Sequence, residues 1–340
     1  MPASPISKIK RLNFAWETSD PFLVCVHHLD HYPQGNQQFG PAASLAGRDI
    51  GQDFSPTEEW RMYHGETVPG FPSHPHRGFE TVTVVLDGFV DHSDSFGAAG
   101  RYGNGDVQWM TAGSGMQHAE MFPLLNQEGP NRLELFQIWL NLPKSKKFVP
   151  PHYKMLWAEQ MSKILLTDSQ GKSTRVTLIA GELNGVQAIS PAPDSWAADP
   201  ANAVAIWIIE MEAGAAWNLP AADPAVKRAL YFFEGPALRA AGREIPAEHS
   251  AELQPDQEIP LQAGSGSIRL LLLQGRPIAE PVVQYGPFVM NTEKEIYQAF
   301  DDYRRTEFGG WPWDRNDPVH SRVAGRFARY ADGTQEIKDR

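Results

Sequence analysis

Hydrophobic and polar positions along this chain change places at short intervals. DPFLVCVHHLDHY (20–32), WRMYHGETV, ETVTVVLDGFVDHSD, DVQWMTAGSGMQHAEMF and NRLELFQIWLNLP are apolar or alternating runs. Each is bounded by Gly, Pro, Asn or Asp, which is how strands and their turns read. A second series follows in TRVTLIAGEL, AVAIWIIEMEAGAAWNLP, RALYFFEGPALRAAGREI and AELQPDQEIPLQAGSGSIRLLLLQG. Between the two lies KSKKFVPP (144–151), a charge run closed by a proline pair. The expected organisation is therefore all-β: domains at 1–150 and 151–310 built as antiparallel sandwiches or barrels, then a polar tail, 311–340, loosely docked or frayed. One stretch has a different period. In NTEKEIYQAFDDYRR (291–305), Ile296, Ala299, Phe300 and Tyr303 recur at helical spacing, with acids early and Arg304 and Arg305 late. It predicts a single helix. Residues 33–58 are polar and Gly-rich and predict a long loop.

Charge narrows the partners. The formal net charge is −11, and the densest basic cluster is Lys144–Lys147. Direct nucleic-acid binding and attraction to an anionic membrane are not expected. No run reaches transmembrane length, and no apolar segment follows the basic N-terminal residues, so a cytoplasmic protein is expected. The lone cysteine, Cys25, cannot form an internal disulfide, and its apolar setting FLVCV suits a buried thiol.

Candidate chemistry sits in residues 70–122. His74 and His76 stand in HPH, and His118 and Glu120 in HAE. On an extended strand, i and i+2 share a face. Two such strands side by side would bring three imidazoles and a carboxylate together, a donor set for one divalent first-row metal with positions left open. Continued along an unbroken strand, the same parity puts Glu80, Val82 and Val84 on the inner face and Thr81 and Thr83 outside. Glu80 is open between a fifth ligand, a partner to a ligand and a solvent-facing side chain. His92, in DHSDS, is read as either structural or a partner to a ligand. The remaining histidines lack a partner at ligand spacing. Trp109, Met110, Met116, Met121 and Phe122 are candidates for an apolar wall or plain core.

HPHRGFETVTVVLDG, GDVQWMTAGSGMQHAEM, QIWLNLPKSKKFVPPHY and GRPIAEPVVQYGPFVMNTEKEIYQAFDDY together resemble the pirin family, over most of residues 20–310. The resemblance implies two cupin β-barrels, the first binding metal and the second metal-free, with a C-terminal helix. It implies iron at His74, His76, His118 and Glu120, although affinity order alone favours copper or nickel, and zinc, manganese or cobalt also suit such donors. It implies one of two functions. The first is a quercetin 2,3-dioxygenase-type oxidoreductase that takes a flavonol or similar phenolic and dioxygen, with Glu120 as catalytic base. The second is a metal-dependent regulator acting through a protein partner. Residues 33–65 are longer and less typical than in the family.

Overall fold

A computed structural model of the chain describes residues 4–338. It is built of antiparallel sheets with one α-helix, Glu293–Thr306. Contacts divide the chain into two compact units. Val26–Ala158 goes with the residues from Glu280 onward, and Glu159–Ala279 goes with the residues up to Cys25. The division is interleaved, whereas the sequence suggested contiguous domains meeting at 150/151. Strand pairing explains it. Ile6–Arg11 forms a ladder with His249–Leu253, and Phe327–Arg329 forms one with Ala99–Gly103. A local pattern marks a strand but not its distant partner.

The Glu159–Ala279 unit has a seven-stranded sheet, ordered Ile6–Arg11, His249–Leu253, Lys227–Glu234, Ile268–Gly275, Ala205–Met211, Ser173–Ala180 and Ser162–Thr167. A four-stranded sheet faces it. Alternate residues such as Val176, Trp207, Ile209, Leu230, Phe232, Leu270 and Leu272 meet Leu238, Ile259 and Leu261 in one apolar core.

In the other unit, one sheet runs Gly70–His76, Met116–Met121, Phe89–Asp94, Ala99–Gly103, Phe327–Arg329 and Gln335–Ile337. The opposing sheet includes His152–Leu156, Val107–Thr111, Phe79–Asp87, Asn131–Asn141 and Phe22–Tyr32 in that order. The chain passes from the first sheet to the second at Arg77–Gly78. Gly78 has φ 86°, and a Cβ there would meet Val289 O at 2.0 Å, so no other residue fits.

The helix begins where its capping residues predict. Thr292 Oγ1 accepts from Glu295 N and donates to Glu295 Oε2, which also accepts from Asn291 N, so residue 292 caps the helix. Ile296 and Ala299 are buried against Phe288, Met290 and Phe308.

The tail does not dock loosely. Arg101 is fully buried and paired with Asp91 through two bonds of 2.7 Å. Its remaining donors are taken by the carbonyls of His320, Ser321 and Ala324. Trp313 Nε1 donates to Asp94 O, and Ser73 N donates to Asn316 O. The loop before the ligands is ordered too. Arg48 lies 3.5 Å over the Trp60 ring and bonds Asp53, and Asp53 pairs with Tyr63. No helix among the described residues is long and apolar enough to cross a membrane.

Candidate metal centre

The two strands that carry the HPH and HAE pairs, Gly70–His76 and Met116–Met121, are antiparallel neighbours. His74 lies opposite His118, and His76 opposite Met116, with a bulge between Phe71 and His74. The i, i+2 spacing thus puts both pairs on one face. The ring centroids of His74, His76 and His118 are 4.5 to 4.9 Å apart. Their ligand nitrogens lie within 4.8 Å of one another, a group able to hold a metal ion.

Gln117, between the ligands, points the other way and is clamped from behind. Its Nε2 donates to Glu307 O, and its Oε1 accepts from Tyr303 Oη. The C-terminal helix region therefore fixes the rotation of the HAE strand. Arg77, beside His76, donates to Ser114 O and pairs with Asp302 of the helix, whose carboxyl it holds down at about 2.

The imidazoles suit a cation. Burial pushes His74 down to about 4 and His76 and His118 well below their ordinary value. All three are neutral at neutral pH, with lone pairs available. His74 Nδ1 is assigned as donor to Pro72 O, at 2.9 Å, which leaves Nε2 as the acceptor. Both nitrogens of His118 and Nδ1 of His76 are buried without a hydrogen-bond partner. Such groups cost about 1–3 kcal/mol each when unmet. A bound metal would take one nitrogen of each ring, so the three histidines fit one.

Glu120 lies beside His118, its Oε2 3.7 Å from His118 Nε2, and stands outside the group formed by the three histidine nitrogens. The carboxylate is oriented by other side chains. Gln137 Nε2 donates to Oε2 at 2.7 Å, Thr83 Oγ1 lies 3.0 Å from Oε1, and Tyr102 Oη donates to Oε1 at 3.4 Å. Burial raises the Glu120 carboxyl, while the bonds from Thr83 and Gln137 oppose that rise.

These orienting residues were missed by parity counting. The strand breaks at Gly78, so the odd positions of Phe79–Asp87 face the site and Thr83, not Val82, reaches Glu120. The missed signal was Gln137, a polar residue inside LELFQIWL. Glu80 is consequently neither a ligand nor solvent-facing. It is fully buried on the opposite face, accepting from Thr111 Oγ1 at 2.7 Å and Trp109 Nε1 at 3.2 Å. His92 lies opposite Glu120, bonds Asp94 at 3.2 Å and stacks on Tyr153.

Of the two readings of the apolar residues, plain core holds for Met110 and Met116, which pack with Ala112. The rings near the ligands are Phe79 and Trp139 against His76, and Phe71 against His74. Phe71 in turn packs on Phe54, Tyr63 and His64 from the 33–65 segment. His74, Phe71, Gln137 and Trp139 are partly exposed, so solvent reaches this end of the site.

Comparison with known proteins agrees with this picture. The pirin family model matches residues 42–140, and the model of the pirin C-terminal cupin domain matches 206–309. A Pseudomonas aeruginosa protein named "Putative quercetin 2,3-dioxygenase" is 37% identical over 262 residues, covering 75% of this chain and 82% of its own. A pirin-like protein of Caulobacter vibrioides is 33% identical over 312 residues, covering 91% of this chain and all of its own. The crystal structure titled quercetin 2,3-dioxygenase from Acinetobacter baumannii superposes with a TM-score of 0.68 at 27% identity, over 90% of this chain and 98% of that one. With two family models and relatives of this similarity matching along most of its length, the chain belongs to the pirin family.

Proposed function

We propose that the protein is a metal-dependent oxidoreductase of the quercetin 2,3-dioxygenase type, acting on a flavonol or a similar phenolic. It would hold one divalent ion through His74, His76, His118 and Glu120, with iron as the metal the family resemblance implies. The observation that carries this reading is a neutral three-imidazole cluster beside a carboxylate that three side chains orient. Relatives whose names contain quercetin 2,3-dioxygenase support it.

A bound ion would supply open coordination positions at which a deprotonated flavonol and dioxygen meet. The residues of the chain prepare the substrate. Glu120, made more basic by burial, takes the hydroxyl proton. Thr83 serves both of its protonation states. The threonine hydroxyl has one proton and lies 3.0 Å from Glu120 Oε1 and 2.6 Å from Gln137 Oε1. When Glu120 is ionised, Thr83 donates to it. When Glu120 carries the proton, Glu120 donates to Thr83, and Thr83 turns to Gln137. The proton is thus held at Oε1 without leaving a buried group unpaired. Phe71 and Trp139, at the exposed end, offer faces for a planar ring.

Oxygen uptake on quercetin tests the proposal, comparing wild type, His118→Ala and Glu120→Gln at matched metal content. Uptake should be metal-dependent in the wild type and lost in both variants, and Glu120→Gln should stay inactive when metal is in excess. Equal rates in all three would end the enzyme reading. No uptake above free metal in any of them, with partner binding that follows metal state, would favour the regulator.

A further inference from the structure

One residue of the same interior is not used by the chemistry above. Thr83 lies between two glutamines at one level of the opposing sheet, Gln137 on one neighbouring strand and Gln108 on the other. Directly opposed residues share a face, with Cβ atoms about 4.5–5.5 Å apart. Gln108 therefore points into the interior that holds Glu120. The two amides differ in use. Gln137 bonds both Glu120 and Thr83. Gln108 is fully buried, and neither its Nε2 nor its Oε1 has a partner.

Gln108 is not isolated in this. Thr81 Oγ1 and Tyr153 Oη, on the next level of the same face, are also buried and unpartnered, as is Nδ1 of His92 from the facing sheet. His92 stacks on Tyr153 at 4.7 Å and lies 5.6 Å from His118. A strip of unmet donors and acceptors thus leads from the histidine cluster to Gln108. A leucine would fill a dry core at lower cost, so buried polar groups left unmet here call for a polar partner.

We infer that Gln108 determines specificity at this site, its amide hydrogen-bonding the oxygens of a hydroxy-ketone held beside His118 and Glu120. An amide offers donors and an acceptor side by side, and a ligand with neighbouring hydroxyl and carbonyl groups answers both. The inference rests on the proposed function for the site but names the residue that reads the ligand's polar edge.

Zinc-loaded full-length protein, which is redox-inert, separates the cases by calorimetric titration with 3-hydroxyflavone and with the smaller hydroxy-ketone maltol. Gln108→Leu and the unbranched Gln108→Met should each bind these probes about tenfold more weakly, as loss of a hydrogen bond worth one power of ten requires. Zinc content should stay the same, and the melting temperature the same or higher. Unchanged affinity in both variants overturns the inference, and unchanged affinity with a lowered melting temperature shows that Gln108 holds only a structural water. Wild type that binds maltol but not 3-hydroxyflavone removes the flavonol reading and leaves Gln108 to be judged on maltol. Wild type that binds neither removes both.

Discussion

The two units use the same material, antiparallel sheets opposed across an interior, and fill that interior differently. Between the sheets of the Glu159–Ala279 unit stand Val, Ile, Leu, Phe and Trp. Its one histidine, His249, turns its Nδ1 to Ala247 O near the rim. Between the sheets of the other unit, beside an apolar cluster that includes Val85, Val90, Leu135 and Trp157, stand three close imidazoles, Glu120, Thr83, Gln108 and Gln137. An apolar interior supplies stability directly, since burial of each large side chain contributes about 1.5–3 kcal/mol. A polar interior contributes only where every donor and acceptor is met. One unit is packed for stability, and the other has exchanged part of that packing for chemistry.

The sharpest way to break the comparison is to remove a ligand. His118→Ala should weaken metal binding by more than about 100-fold, beyond what loss of a supporting residue costs. Elemental analysis after dialysis would read it, and His249→Ala should leave the content unchanged. Metal retained in His118→Ala would mean that the cluster is not the centre. Next come two losses of stability. Arg101→Met leaves the buried Asp91 carboxylate without its cation, with only the His320 N–H still donating to it, at a cost of about 3–5 kcal/mol to the site-bearing unit. Leu270→Ala opens a cavity in the apolar unit at about 2–5 kcal/mol. Urea titrations would measure both, and only the first should lower metal affinity as well.

Acid should act on one unit before the other. His74 at about 4 and His28 at about 3, both lowered first by burial, stay neutral in the native state. The unfolded chain takes up protons there below about pH 6.5, so it binds more of them. Stability therefore falls as pH drops from about 6.5 toward 4 and then 3, and metal competes with the same protons. Melting at stepped pH should show the site-bearing unit failing first; equal sensitivity in both units would contradict this. The smallest effect is expected from Thr83→Val, which keeps shape and loses the hydroxyl. It should cost about 1 kcal/mol of stability and slow oxygen uptake a few-fold, with metal content unchanged.

The strands, the single helix and the grouping of His74, His76 and His118 were legible because each depends on neighbours within a few residues. HPH and HAE carry their own period, and Thr292 with Glu295 carries its own cap. Three features were not legible, and each depends on something distant or on one backbone angle. The positive φ at Gly78 shifts every inward residue of Phe79–Asp87 by one, which exchanged the roles of Thr83 and Glu80. The docked tail depends on Arg101, whose charge gave no hint that carbonyls of residues 320–324 would surround it. The interleaving of the units depends on ladders between residues hundreds apart in the chain, such as Ile9 with Ala251. The 33–65 segment, polar in composition, is anchored by Arg48, Trp60 and Tyr63, whose joint packing no period announces.

The interleaved ladders also set an order of assembly. When a ribosome has made the HPH and HAE strands, more than half of the chain is still to come. The sheet that carries them lacks its outer strands until residues 327–337 emerge. Ile6–Arg11, among the earliest residues made, waits equally long for His249–Leu253. Pairings so distant in sequence form slowly, and incomplete forms leave strand edges open. The sheet that carries the histidine cluster is therefore completed late, after residues 327–337 have been made. A nascent chain halted before residue 310 would present all four ligand-type side chains and still lack the carbonyls that hold Arg101.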